Sequence, residues 1–526
     1  MKYTEIYDTT LRDGAQREGI SFTVADKLSI VRKLDQLGVN YIEGGWPGAN
    51  PKDSEFFQEA SKIKLSNAKL VAFGSTRKRG MRCDEDKALK AIIEAGTDVV
   101  TIVGKCSANQ VALVLETTLE ENIEMVVSTI NYLRECGKIV FLDAEHFFDG
   151  WKDNREYALR VLLAAAGAGC ATIVLCDTNG GALPLEIEAA VTDVKKHIHT
   201  PLGIHAHNDS ELAVANTIAA VNSGVTQVQG TINGFGERCG NANLCSIIPI
   251  LKLKMGVDCL SDDQLGKLTE VSRFVSETAN LAHESFLPFV GLSAFSHKGG
   301  LHVSGMSKWE NAYQHVNPAL VGNQRRILIS ELSGRSNILQ RAQQIGINFE
   351  AEGINVSALL EKVKALENRG FQYENAEASF DLLVYRSKAG YSKPFELVDY
   401  LVLTEKTRRA NESHWDGVLA EAMVKVKVGE KILHTAAEGD GPVNALDNAL
   451  RKALLEFYPG VASIRLQDYK VRILEESVGT ESQVRVLIVS TDGAEQWRTV
   501  GSSTNIIEAS WLALADSLEY WLLKQA

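Results

Sequence analysis

Short β-branched runs recur through the first 240 residues at intervals of about thirty: Tyr3–Tyr7, Val39–Glu43, Leu70–Phe73, Val99–Val103, Ile139–Asp143, Thr172–Cys176, Leu202–His205 and Val225–Val228. Amphipathic, helix-like stretches separate them. Strands that alternate with helices form right-handed βαβ units and a parallel sheet. Eight such units in this length are expected to close into an α/β (β/α)8 TIM barrel rather than to stay an open sheet. The helix signals agree. Val24–Leu37 carries apolar residues at 24, 28, 31, 34 and 37, follows Ser21-Phe22-Thr23, and is stopped by Gly38.

At 526 residues the chain exceeds one ordinary domain. The barrel is expected over 1–285. A Gly-, His- and Asn-rich segment up to about residue 335, then a helical stretch including Ala358–Glu367, make 286–375 a mostly helical linker region. In 376–526 a pattern repeats. Lys431–Thr435 leads through a Gly-rich loop into Pro442–Leu455, and Gln496–Val500 leads through a similar loop into Ile506–Leu522. The step from Thr435 to Ala445 equals that from Thr499 to Ala509. Two strand–strand–helix repeats point to an α+β domain with pseudo-twofold symmetry.

Composition excludes several classes. With 45% hydrophobic and 23% charged residues the chain is ordinary globular material. A net charge of −12 argues against nucleic acid as a partner. No apolar run is long enough for a bilayer, and Met1–Glu5 passes into a strand without a signal-peptide core, so a cytoplasmic protein is expected. The eight cysteines all precede residue 260 and form no C-x-x-C, which reads as free thiols.

TIM-barrel sites lie at the C-terminal strand ends. Polar residues gather there: Asp8-Thr9-Thr10-Leu11-Arg12-Asp13 after the first strand, Glu43 at the second, Asp143-Ala144-Glu145 at the fifth, Asp177-Thr178 at the sixth, His205-Ala206-His207 at the seventh, and Asn233–Asn243 after the eighth. His205 and His207 alternate on one strand, so both rings face one side. With Asp13, or with Asp13 and Asn241, they offer two nitrogens and one or two oxygens, a set that suits Mn²⁺, Zn²⁺, Co²⁺ or Mg²⁺. Arg12 is either a barrel-mouth ion-pair partner, held by Glu43, or the grip on a 2-oxo acid. Glu145 is either a general base or another charge partner. The basic residues Arg77, Lys78, Arg79 and Arg82 read as a solvated loop rather than a phosphate-binding site.

D-T-T-L-R-D-G-x-Q at 8–16, H-x-H-N-D at 205–209 and G-x-G-E-R-x-G-N-A at 234–242 resemble the DRE-TIM metallolyases. That family includes 2-isopropylmalate, homocitrate and citramalate synthases and hydroxymethylglutaryl-CoA lyase. His297–His302, Tyr313–Pro318 and Glu438–Ala445 resemble segments found in the synthases but not in the lyase. Phe141–Gly150 and Cys176–Gly181 resemble the branch of the synthases that uses pyruvate, whereas Asn109-Gln110 departs from a Leu-His pair common in related chains.

The resemblance implies a metal-dependent condensation of acetyl-CoA with pyruvate, then hydrolysis to (R)-citramalate and CoA. Asp13, His205, His207 and Asn241 would hold the metal. Arg12 and Thr178, with Glu43, would bind the oxo acid, and Glu145, assisted by His302 and Tyr313, would remove the methyl proton. It also implies a homodimer with isoleucine as effector at the C-terminal domain. The alternatives are condensation with 2-oxoisovalerate to 2-isopropylmalate, or ligand sensing on an inactive barrel. The intact Arg12, Asp13, Glu145, His205 and His207 set argues against the last.

Overall fold

The computed structural model describes residues 3–49, 51–297, 299–309, 311–327, 335–405, 419–474 and 482–525. Eight parallel strands close into a barrel in chain order: β1 (Glu5–Asp8), β2 (Tyr41–Gly45), β3 (Lys69–Ser75), β4 (Val99–Lys105), β5 (Ile139–Glu145), β6 (Thr172–Asp177), β7 (Leu202–Ala206) and β8 (Gln227–Gly230). The seam is the β1–β8 pairing, with Glu5 opposite Gln227 and Asp8 opposite Gly230. Several strands run one or two residues beyond their expected ends, which brings Lys105, Glu145 and Asp177 onto strand termini.

Both faces of each strand are covered, which is why the strands read as near-continuous apolar runs. Ile6, Ile42, Ile102, Leu142, Leu175 and Ile204 are fully buried in the main core. The alternate positions fill the lumen in layers. Tyr7, Val71, Val99 and Phe141 form an apolar floor. The Tyr7 hydroxyl starts the polar layer above it, donating to Glu43 Oε2 at 2.6 Å and lying 2.8 Å from Thr101 Oγ1.

The helix Val24–Leu37 forms over its expected span. Thr23 Oγ1 accepts from Asp26 N, Asp26 Oδ2 accepts from Thr23 N, and Gly38 closes the end at φ 91°, where a side chain would be strained. Losing the Thr23 cap would cost about 1 kcal/mol. Ile30, Val31, Leu34 and Leu37 form its buried face.

The chain divides into two compact bodies. One runs to Phe295 and takes in His315–Arg325; the other holds Ser296–Gln314 and continues from Arg326. Within the first body, Asn323 Nδ2 donates to the carbonyls of Phe289 and Gly291, and Thr269 Oγ1 donates to that of Val321, fixing 315–325 against the barrel side.

The second body contains a short parallel ladder, β9 (Ser296–His297) with β10 (Arg326–Ile327), and two three-stranded antiparallel sheets. The sheets are β11 (Glu396–Glu405), β12 (Leu419–Val428) and β13 (Lys431–Gly439), then β14 (Arg465–Ile473), β15 (Val484–Thr491) and β16 (Gln496–Ser503). The helices Pro442–Leu454 and Ile506–Gln525 follow them. The expected repeat is present with one more strand per copy. Each first strand has a bulge at the same place, before Asp399 and before Asp468. In each copy one threonine hydroxyl donates into the following helix, Thr435 to Ala449 O at 2.8 Å and Thr499 to Ala513 O at 2.7 Å. Among the described residues no helix is long and apolar enough to cross a membrane.

Candidate active site

Asp13, His205 and His207 are all buried, and one ligand atom from each lies within 4.8 Å of the others. His205 Nε2 is 3.3 Å from His207 Nε2 and 3.1 Å from Asp13 Oδ2. The loop after β8 returns to this point through a bridge between His207 and Asn241, so Asn241 Nδ2 lies 3.0 Å from Asp13 Oδ2 while its Oδ1 is buried with no partner among the described residues. Gly236 permits this close approach: a Cβ there would sit 1.8 Å from Asn241 Oδ1.

Burial opposes charge on all three members of this group. Arg12 and the two imidazoles overcome it for Asp13, whose carboxyl is held well below the usual range. Asp13 overcomes it for His205, which is raised. Burial and the neighbouring His205 push His207 down to about 4, so it is a neutral donor at neutral pH. Gln229 fixes the His205 tautomer. Its Nε2 donates to Asp143 Oδ1 at 3.1 Å, which turns Oε1 toward His205 Nδ1 at 2.8 Å. Nδ1 must donate there, which makes Nε2 the nitrogen turned toward Asp13 and His207. One carboxylate and two imidazole nitrogens converging in a buried site, with a supported tautomer, fit a divalent cation.

Arg12 stands beside this group. Its Nε donates to Glu43 Oε1 at 2.6 Å, Nη1 lies 3.4 Å from Asp13 Oδ2, and the guanidinium carbon is 3.9 Å from the centre of the Phe73 ring. Glu43 has no exposed surface and is spent on Arg12 and Tyr7. Its expected role against substrate is therefore corrected: it lies beneath Arg12 and orients it.

Arg12, Asp13, His205 and His207 line a cavity of about 770 Å³ in the first body. Val103, Lys105, Asp143, Glu145, Cys176 and Thr178 form another part. Glu145 is ion-paired with Lys105, its register partner on β4. Burial pushes the Asp143 carboxyl up to about 7. Thr178 Oγ1 accepts the His146 N–H at 2.8 Å, so its own hydrogen is free to donate; His146 reaches this position with φ 54°. Arg238 grips Asp209 through two bonds and the Thr178 carbonyl through a third.

Sequence reasoning gave no role to Lys105, Asp143, Gln229 or Arg238. Lys105 and Asp143 had a findable signal, since both sit at or near strand ends. Gln229 had none, because its role depends on which strand neighbours β7. The basic loop also divides. Arg77 is buried and pairs with Glu121 at 2.8 Å, so for this residue the solvated reading is corrected; Lys78, Arg79 and Arg82 are exposed. Asn109 and Gln110 lie on the helix Ala108–Leu113, outside the cavity wall, and Asn109 bonds Asp153. His302 and Tyr313 belong to the second body, where their rings stack with centroids 4.2 Å apart. All eight cysteines are free.

Residues 3–275 match the model of the HMGL-like family, 289–370 that of the homocitrate synthase post-HMGL domain-like family, and 374–522 that of the LeuA allosteric (dimerisation) domain. The (R)-citramalate synthase of Geobacter sulfurreducens is 54% identical over 524 residues, covering 100% of this chain and 98% of its own. That of Aquifex aeolicus is 52% identical over 522 residues, covering 99% and 98%. The 2-isopropylmalate synthase of Methanocaldococcus jannaschii is 31% identical over 525 residues, covering 99% and 95%.

Proposed function

The chain belongs to the HMGL-like family, and from that premise we propose that it condenses acetyl-CoA with pyruvate and hydrolyses the product to (R)-citramalate and CoA. The observation that carries this reading is that one cavity is lined by Arg12, by the Asp13–His205–His207 group, and by Glu145 and Thr178. Two relatives named (R)-citramalate synthase, more than half identical over the full chain, support pyruvate as the acceptor; the relative named 2-isopropylmalate synthase is far more distant.

Asp13, His205 and His207, with Asn241, would hold the cation, with Mn²⁺, Zn²⁺, Co²⁺ and Mg²⁺ the candidates. Bound there, it supplies Lewis-acid polarisation of the keto group. The guanidinium of Arg12, held through Nε by Glu43, offers its remaining N–H groups to the oxo acid. Thr178 donates its free hydroxyl hydrogen to the same substrate's carboxylate. Glu145 accepts a methyl proton from acetyl-CoA. The carbon nucleophile attacks the keto carbon, and water cleaves the citramalyl thioester. Formation of the free acid and CoA drives the sequence forward.

The reading extends to a cytoplasmic homodimer inhibited by isoleucine; the match to a dimerisation and allosteric domain over 374–522 supports the dimer and its regulation. The test is product identity: metal-loaded protein supplied with acetyl-CoA and ¹³C-labelled pyruvate should give one labelled (R)-citramalate per CoA released. Absence of labelled product from metal-loaded protein contradicts the proposal.

A further inference from the structure

The condensation creates negative charge twice, on two different oxygens. The keto oxygen of the acceptor is served by the wall that carries Arg12 and the metal-type group. The thioester oxygen, which becomes an enolate oxygen when the methyl proton leaves, needs a donor near Glu145. Of the other cations in the cavity wall, Arg77 is committed to Glu121 and Arg238 to Asp209, while Lys78 and Arg79 lie in the exposed rim.

Lys105 is placed differently. It ends β4 directly beside Glu145 on β5, its carbonyl is held by Asn122 Nδ2 at 2.9 Å, and its ammonium pairs with Glu145 inside the cavity. An ammonium has three hydrogens, and this pair uses one. We propose that Lys105 is a catalytic residue that stabilises the thioester enolate while Glu145 takes the proton. This rests on the reading of Glu145 as the base in the condensation above.

The step balances without a further reactant. The methyl C–H bond breaks and a Glu145 O–H bond forms. The C–H electron pair becomes the new C=C bond, and the thioester C=O pair moves onto oxygen. Lys105 keeps its three protons and donates a hydrogen bond. Negative charge thus moves from the carboxylate to the thioester oxygen, and a cation touching both sites follows it with little reorganisation. In the ground state the ammonium is held by the carboxylate, and in the transition state the interaction transfers to the enolate.

The test uses the full-length, metal-loaded enzyme with Lys105→Met, Lys105→Arg and Glu145→Gln, and acetyl-CoA with a deuterated methyl group. Lys105→Met should lower kcat by about 100-fold or more, the range seen on removing one oxyanion donor. Its KM for pyruvate should stay within about threefold, and the deuterium isotope effect on kcat should rise. Lys105→Arg should recover at least about tenfold over the methionine variant. In the Glu145→Gln background, Lys105→Met should still cost about tenfold or more, because the enolate needs its donor whichever base is used.

A kcat within about threefold of the parent for Lys105→Met overturns the proposal. So does a double variant no slower than Glu145→Gln, which would reduce Lys105 to a holder of the carboxylate. Melting curves and metal content identify a variant that has not folded, and Lys105→Gln, of similar length, then takes its place with the same criteria. If the parent releases no CoA with pyruvate, the functional reading fails before any variant is compared. If Glu145→Gln keeps parental kcat, the base assignment fails by itself.

Discussion

His205 Nδ1 and Gln229 Oε1 lie 2.8 Å apart, and this contact sets which face of the imidazole is basic. The amide is itself oriented by Asp143, 3.1 Å from Gln229 Nε2. Gln229→Leu keeps all three donor side chains but frees the tautomer. We expect divalent-metal affinity to fall by about 10–100-fold, with much of kcat restored at saturating metal. Calorimetric titration of metal-stripped protein measures this; affinity within about threefold of the parent would mean the ring is oriented by other means.

Arg12→Lys should be nearly as damaging as Arg12→Ala. A lysine ammonium is a compact point donor and cannot reproduce the planar guanidinium fork, held at Nε by Glu43, that would grip a carboxylate along its other edge. The comparison is kcat/KM for pyruvate in the two variants. A lysine variant that retains most of the parental value would make Arg12 a structural ion-pair partner only.

Asp8 gives the fold a pH dependence of known sign. It is fully buried, accepts from Thr10 N and Thr10 Oγ1, and burial pushes its carboxyl up to about 7. An unfolded aspartate titrates near ~3.9. Below that value both states hold the proton and the contribution is complete. As pH rises toward about 7 the unfolded chain releases its proton first, and stability declines by about 1.4 kcal/mol per pH unit. Asp8→Asn has no such proton to lose. Its stability relative to the parent should therefore climb through this window, as urea unfolding at pH 5 and pH 7.5 would measure. Parallel pH profiles would contradict the account.

Removal of residues 376–526 should abolish inhibition by isoleucine while leaving the Asp13–His205–His207 group intact, because that group is built within the barrel. Coupling requires an effector that binds two states with different affinity. Initial rates against isoleucine and leucine, for full-length and shortened protein, check this. A full-length enzyme that responds to leucine alone would move the acceptor assignment to a branched oxo acid.

The barrel was legible because its information is local. β-branched runs, Thr23 and Gly38 act within a few residues, and the structure places each of those elements where the pattern puts it. The gathering of Arg12, Asp13, Glu145, Thr178, His205 and His207 was legible for the same reason: strand ends converge once the barrel closes. What stayed hidden depends on strand neighbours and on depth. Glu43 and Thr178 both follow strand runs, yet one lies beneath Arg12 and the other faces the cavity. The Lys105–Glu145 pair exists because β4 and β5 are adjacent in that register. β11 and β14 escaped notice because both are largely exposed and carry charges among their apolar residues, so no buried alternation marks them.

The most direct test of the account is the initial rate of CoA thiol release by metal-loaded, full-length protein with acetyl-CoA and either pyruvate or 2-oxoisovalerate. The account predicts a kcat/KM for pyruvate at least about tenfold above that for 2-oxoisovalerate, about 1.4 kcal/mol or more in transition-state binding. Preference for 2-oxoisovalerate, or no thiol release with either acid, would contradict it.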